Sequence, residues 1–154
     1  MKRFCCVLAL LFLAATVVLV YVFVVRGETT PASDGRTAIL LVPGERDLVL
    51  AEMRGFLVAV QGITQAVADQ DPAAVAAAAR QVGAAAQEGV PASLVGKLPL
   101  DFKRLGFDTH SRFDQLALNA EQFEDTSPVL PELATLMGNC VACHAAYRID
   151  LERP

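Results

Sequence analysis

Two cysteines three positions apart, followed directly by a histidine, stand near the C-terminal end of this 154-residue chain. They are Cys140, Cys143 and His144, within the pentapeptide CVACH. This spacing is the attachment motif of a c-type haem, in which both sulfurs form thioether bonds with the porphyrin vinyl groups. The histidine then lies under the ring, where its imidazole can bind the iron as the proximal ligand. The motif therefore predicts one covalently attached haem c.

The residues around the motif follow the period of a helix, and this bears on what else a cysteine pair could do. Apolar residues recur at intervals of three and four: Leu130, Leu133, Met137, Cys140, His144 and Tyr147. A zinc site usually needs four protein ligands, and the sequence has no second cysteine or histidine cluster. A thioredoxin-like dithiol sits where a helix opens after a strand, and a disulfide at this spacing within a helix is strained. We favour haem c and keep zinc and a redox dithiol as minor alternatives.

The N-terminus carries an apolar run of about 22 residues, Phe4 to Val25, interrupted only by Thr16. That length spans the hydrocarbon core of a membrane as a helix. A cleaved signal peptide has a shorter apolar region that ends in small residues, so an uncleaved anchor is the favoured interpretation. Lys2 and Arg3 predict a cytoplasmic N-terminus by the positive-inside rule. We therefore expect a single-pass protein of a bacterial inner membrane, with its main domain in the periplasm.

The rest of the chain predicts helices and no strands. Residues 27–44 are rich in Gly, Pro, Thr and Ser and are interpreted as a periplasmic tether. Four segments with helical periodicity follow, and Asp71 before Pro72 marks the start of the second. The expected organisation is a transmembrane signal-anchor over 1–26, the tether over 27–44, and an all-α, antiparallel four-helix bundle over 45–154. The helices are expected over about 45–69, 71–88, 101–125 and from 126 onward.

Architecture and motif together resemble the class II cytochromes c, that is, the cytochrome c prime family and its low-spin, six-coordinate relatives. The haem motif stands on the last helix of the bundle, whereas class I cytochromes carry it near the N-terminus. The resemblance covers residues 45–154. Its specific elements are Cys140, Cys143 and His144, followed by Tyr147 and Arg148, where the family has an aromatic and then a basic residue.

The resemblance also implies residues on the distal side of the haem. In the family the first helix supplies the residue opposite the proximal histidine, and Met53 holds that position here. A thioether sulfur there completes six-coordination and raises the reduction potential, although methionine on an apolar stripe is often only core filling. Phe56 and Arg148 are further expected cofactor contacts. His110 is a rival distal ligand, but an exposed or hydrogen-bonded histidine is the simpler interpretation.

Three functional classes are consistent with these sequence features. The leading one is an electron carrier rather than an enzyme, acting with redox partner proteins at the membrane and able to form a homodimer. The second is a five-coordinate binder of nitric oxide or carbon monoxide, and the third is a structural subunit of a larger complex. The net charge of −4, without a basic patch rich in aromatics, argues against a nucleic-acid partner.

Overall fold

A computed structural model describes residues 2–123 and 125–152, without the side chains of Lys2, Arg3 and Cys5. The described part is mostly helical, with a small three-stranded sheet. Its α-helices are α1 (Lys2–Val20), α2 (Pro43–Ala68), α3 (Pro72–Arg80), α4 (Ala92–Lys97), α5 (Leu100–Phe123) and α6 (Val129–Ala146). The strands are β1 (Thr29–Pro31), β2 (Thr37–Leu41) and β3 (Tyr147–Leu151).

Helix α1 is long and apolar enough to cross a membrane. It continues without a break into a π-helical turn, Tyr21–Arg26, so that the candidate span runs over Cys6–Arg26. None of the residues of this span is buried, although its last turn lies beside α4 and α5. Length and composition of this kind are shared by membrane anchors and signal sequences.

The segment expected to be a tether is instead part of the folded domain. Strand β1 pairs antiparallel with β2, and β2 pairs in parallel with β3, which places Ile39 opposite Ile149. Ile39 and Leu41 are fully buried beneath the sheet. The expectation of a tether over 27–44, and of a domain without strands, is therefore wrong. The apolar run at 38–42 is short, and it becomes a strand because a distant segment pairs with it.

Helix α3 ends earlier than its alanine content suggests. Asp71 caps it as expected, since its Oδ1 accepts a hydrogen bond of 2.9 Å from the Ala74 N–H. The helix stops at Arg80, and a 3-10 turn follows at Ala84–Gln87. The chain then leaves the axis of α3 toward α5, because the Asp114 carboxylate of α5 accepts a hydrogen bond of 2.8 Å from the Ala84 N–H. The predicted continuation to residue 88 is thus replaced by a tertiary hydrogen bond, and α4 forms within the loop that follows.

Two buried clusters hold the domain together. The larger joins α2, α3, α5 and α6, and its fully buried members include Ile63, Val75, Phe113, Leu116 and Leu136. The smaller lies under the sheet and consists of Ile39, Leu41, Val49, Leu94 and Phe102, with Met53, Cys143 and Tyr147 packed against it. The sheet therefore supports the end of the domain at which the cysteine motif lies.

Candidate cofactor site

An apolar cavity of about 350 Å³ opens between α2, α5 and α6. Three helices contribute to its wall: Glu52, Met53, Phe56, Leu57 and Val60 from α2; Phe102, Leu105, Gly106, Thr109 and His110 from α5; and Met137, Asn139, Cys140, Cys143 and His144 from α6. Gly106 contributes only backbone to the α5 wall, and nothing lies within 4 Å of the point where a Cβ would stand. The structure thus brings the whole cysteine–histidine motif to one cavity, together with Met53 and Phe56.

Helix α6 brings the two cysteines and the histidine to the same cavity, but with different exposure. Cys140 and Cys143 lie one turn apart and are half-buried free thiols, whereas His144 is exposed at the edge of the cavity. Arg36, just before β2, secures the end of this helix, because its Nη1 donates to the carbonyl oxygens of His144 at 3.4 Å and Tyr147 at 3.3 Å. A cation at this end also complements the helix dipole. The motif is therefore held by a contact that crosses from the sheet.

Burial makes the Cys140 and Cys143 thiols weaker acids than an exposed cysteine. It raises the pKa of Cys143 to about 11, with a further contribution from neighbouring Cys140, and it raises the pKa of Cys140 as well. Redox-active cysteine pairs carry at least one thiol whose pKa is lowered, because the thiolate is the nucleophile. The environment of Cys140 and Cys143 is the opposite of that, which weakens the dithiol alternative.

Met53 and Phe56 come from α2, across the cavity from the motif-bearing helix. Met53 is half-buried and packs against the cluster beneath the sheet. The Phe56 ring stacks on Phe113 with a centroid distance of 5.6 Å and lies tilted against His110 at 4.9 Å. Phe56 is thus fixed by two rings behind it. Met53 is the flexible, polarisable side chain of this wall.

His110 is not free to bind a metal ion. It is buried, with 2% of its surface exposed, and both ring nitrogens have hydrogen-bond partners. Nδ1 donates to the Val82 carbonyl oxygen at 2.8 Å, and Nε2 lies 3.1 Å from Glu52 Oε1. Burial lowers the pKa of His110, but the bonds to Glu52 and Val82 outweigh it, so that the pKa lies above its usual value. The sequence-based interpretation of His110 as a hydrogen-bonded histidine is confirmed, and the interpretation of His110 as an exposed histidine is wrong.

Arg148 does not reach the cavity. It lies on β3, where its guanidinium bonds to Asp150 at 2.9 Å and to Asp34 at 3.3 Å. Asp150 on β3 and Asp34 in the turn between β1 and β2 satisfy its charge, and Arg148 is not among the residues that line the cavity. This placement gives no support to a contact between Arg148 and the cofactor, which stays a prediction. Its neighbour Tyr147 stays closer, packing edge-on against Phe102 at 5.5 Å.

Several cavity residues carried no signal in the sequence. Leu105, Gly106 and Thr109 line one wall because α5 faces the motif with its early turns. Asn139, next to the motif, donates to Asp108 Oδ2 at 2.7 Å and thereby joins α6 to α5. Glu52 could have been suspected only as the partner of His110, because a buried histidine needs one.

A metal bound by the motif residues alone would lack ligands. Within 2–123 and 125–152, no three His, Cys, Asp or Glu side chains come together as a group that could hold a metal ion. Cys143 and His144 lie on the same face of α6 as Cys140, which they follow by three and four positions. Three side chains are one fewer than the four protein ligands that a structural zinc site needs, so the motif alone suits zinc poorly. Comparison of the chain with family models, with curated proteins and with solved structures found no match.

Proposed function

We propose that this protein is a membrane-anchored, monohaem c-type cytochrome that transfers electrons. The observation that carries the proposal is the cavity of about 350 Å³, where Cys140, Cys143 and His144 meet Met53 across an apolar wall. The residues fit a porphyrin in chemistry as well as position. Two thiols are available for thioether bonds, an imidazole stands beside them, and aliphatic and aromatic side chains surround the space that a flat ring needs.

Each residue has a distinct part in this proposal. Cys140 and Cys143 would hold the haem covalently, and the His144 imidazole would be a ligand of its iron. The Met53 sulfur would be the second protein ligand and would favour the reduced state. The haem supplies the one-electron redox chemistry, while the protein sets its potential, orientation and access. Phe56, held by two neighbouring rings, keeps water from the distal face.

We further infer that the domain belongs with the class II cytochromes c. Helices α2, α3, α5 and α6 share one buried core and would be the four helices of that bundle, with the motif on the last of them. The three-stranded sheet and the short helix α4 would be additions peculiar to this chain. Only architecture and the motif support this assignment.

The proposed location is a bacterial inner membrane, with the haem domain in the periplasm. Helix α1 would remain attached, because Lys103 of the domain donates hydrogen bonds to the carbonyl oxygens of Phe23 at 3.3 Å and Val24 at 3.2 Å. Cleavage near Gly27 would remove these partners. The redox partners would be proteins at the same membrane, where anchoring raises the effective concentration of the domain. A homodimer is compatible with this arrangement.

Covalent haem is tested by expressing the full chain together with a haem-attachment system. We expect the protein to keep a haem stain on a denaturing gel and to show the pyridine haemochrome spectrum of a haem with two thioether bonds. The double variant Cys140→Ala, Cys143→Ala should lose both signals. The matched control is Cys6→Ala in α1, which should keep them. Haem retained by the double variant after denaturation would contradict the proposal.

Binding of a diatomic gas is the second candidate, and the composition of the distal wall favours it. Phe56, Leu57 and Val60 line the cavity opposite the motif and offer only carbon atoms. If Met53 only lines the pocket, that wall leaves a dry vacant site suited to nitric oxide or carbon monoxide. The two candidates separate on adding carbon monoxide to the reduced protein, since a six-coordinate electron carrier resists the gas and a five-coordinate binder takes it up at once.

A further inference from the structure

A second cavity, of about 530 Å³, adjoins the first. Glu52, Phe102, Gly106 and His110 line both cavities and thus form a shared wall. The second cavity extends from that wall toward α4 and the segment before it. Nothing in the proposed electron carrier requires this space, although a ligand in it would lie one layer of side chains from the haem.

The mouth of the second cavity lies at the end of the membrane-spanning segment. Lys103 lines the cavity, and the same side chain binds the carbonyl oxygens of Phe23 and Val24. Burial lowers the pKa of Lys103, in keeping with a crowded position. A main-chain hydrogen bond also connects the end of this segment with the domain, since the Glu28 N–H donates to the Lys97 carbonyl oxygen at 2.7 Å. A molecule dissolved in the membrane would reach this mouth without crossing bulk water.

The lining suits a flat, apolar ring with polar groups at its edge. Phe102 is buried in the shared wall, whereas Phe107 stands 52% exposed toward the mouth. Polar side chains also line the second cavity. Glu52, at the shared wall, uses Oε1 for His110 yet keeps 37% of its side chain exposed, and Gln81, Gln87, Glu88 and Lys103 lie elsewhere in the lining. Both nitrogens of His110 have partners, so the acceptor at the shared wall is the Glu52 carboxylate. A hydroxyl group on a ring would donate to that carboxylate, whereas an acyl chain has no group that could.

We propose that the second cavity binds the ring of an isoprenoid quinone from the membrane. The inference rests on the proposed function in one respect, because the haem gives the bound quinone its redox partner. Oxidation of one quinol to the quinone releases two electrons and two protons. Two ferric haems, one in each of two molecules of the protein, would accept one electron each, and the two protons would leave to water at the cavity mouth.

Gly55 allows the cavity to be filled without disturbing the haem site. It lines the second cavity and not the first, and a Cβ there would come no closer than 3.8 Å to Val82 Cγ1. In Gly55→Leu the new side chain extends into the second cavity, while the helix gains propensity relative to glycine. The matched control is Gly44→Leu at the start of α2, which is exposed and has nothing near its Cβ position.

The test uses the full chain in phospholipid nanodiscs and a short-chain benzoquinone that carries an azide. We expect photolabelling of α5 around residues 103–107 and of α2 around residue 55, with competition by unlabelled quinone. Gly55→Leu should weaken binding by about tenfold or more, and Gly44→Leu should leave it unchanged. Haem content is measured on the same samples by the pyridine haemochrome method.

Three results would overturn the inference. They are equal labelling of wild type and Gly55→Leu, labelling confined to α6, and displacement of the probe by free fatty acid as effectively as by quinone. The haem measurement keeps the two proposals apart. Haem without quinone binding refutes only the second cavity as a quinone site. Saturable quinone binding to protein that takes up no haem supports the site and refutes the cytochrome.

Discussion

His110 Nε2 lies 3.1 Å from Glu52 Oε1, at the wall that the two cavities share. The Val82 carbonyl oxygen can only accept, so Nδ1 carries a proton and Nε2 is the nitrogen that exchanges one with the carboxylate. The pair therefore holds one buried imidazole in a fixed orientation. It also leaves neither nitrogen available as a metal ligand.

The His110–Glu52 pair makes stability depend on pH. The pKa of His110 is raised in the folded protein, so the stabilisation is complete below the unfolded value of about 6.5 and is lost as pH rises through the folded value. We expect the thermal midpoint of the wild type to fall as pH increases above about 6.5. His110→Phe should be less stable by about 1–3 kcal/mol at pH 6 and should lose this dependence. Identical pH profiles for the two proteins, measured by circular dichroism, would count against the pair.

Met53 and Met137 both line the cofactor cavity, and their substitution identifies the distal ligand. Met53 comes from α2, whereas Met137 stands one turn before Cys140 on the motif helix and would share its side of the ring. Met53→Ala should abolish the weak near-infrared band of sulfur-to-iron ligation, lower the potential and admit carbon monoxide. Met137→Ala should keep the band. A band that survives in Met53→Ala and disappears in Met137→Ala would reverse this assignment.

Lys97 connects three parts of the domain. Its Nζ lies 2.9 Å from Glu45 Oε2 at the start of α2 and also pairs with Glu152 after β3. The Lys97 and Glu45 side chains are largely buried, so Lys97→Met leaves a charge without its partner and should cost about 2–4 kcal/mol of unfolding free energy. The control is Arg104→Met, which breaks an exposed pair with Asp101 and should cost less than about 1 kcal/mol. Equal losses in urea unfolding would show that Lys97 contributes no more than a surface charge.

The ion pair between Lys97 and Glu45 should weaken at acidic pH. Burial raises the pKa of Glu45, but hydrogen bonds from Lys97, the Val42 N–H and Ser93 outweigh it and hold the pKa below its usual value. Its stabilisation is therefore present above the unfolded value of about 4.3 and is lost as pH falls through the lower folded value. Wild type should lose stability below pH 4 more steeply than Glu45→Gln. Parallel acid profiles would contradict this.

Gly27 joins the apolar N-terminal helical segment to the folded domain. Its φ of 63° and ψ of −167° belong to a region that is essentially restricted to glycine, and a Cβ would stand 2.3 Å from the Lys97 carbonyl oxygen. Gly27→Ala should separate the two parts, so that limited proteolysis cuts near residues 25–29. Gly35→Ala is the control, because φ is also positive there but nothing lies within 4 Å. Equal protease resistance in both variants would show that the joint has no structural role.

The local patterns of the sequence predicted most helices but none of the strands. The Asp71–Pro72 start and the apolar period through Met53, Phe56 and Ile63 depend on neighbours within a few turns, and α2 and the start of α3 stand where those patterns placed them. The early end of α3 and the short helix α4 were not predicted. Strand β2 depends on β3 at the opposite end of the chain, so its five residues carried no local sign of their partner.

The same distinction between local patterns and long-range contacts applies to the candidate site. The motif on α6 followed from spacing, and the choice of Met53 on α2 followed from the resemblance to class II cytochromes c; the structure brings these residues to one cavity. The burial of His110 and the diversion of Arg148 to Asp34 and Asp150 depend on tertiary partners. Local periodicity contains no information on such contacts.

The parallel pairing of β2 with β3 also determines when this domain can finish folding. β2 stands before α2, whereas β3 comes directly after the motif helix α6. Ile39 and Leu41 are therefore covered only once β3 has been made and has paired, which makes closure of this cluster slow and long-range. Cys143 packs against the same cluster and stays more accessible until then. In the proposed cytochrome, this order of synthesis would provide a period for attaching the haem.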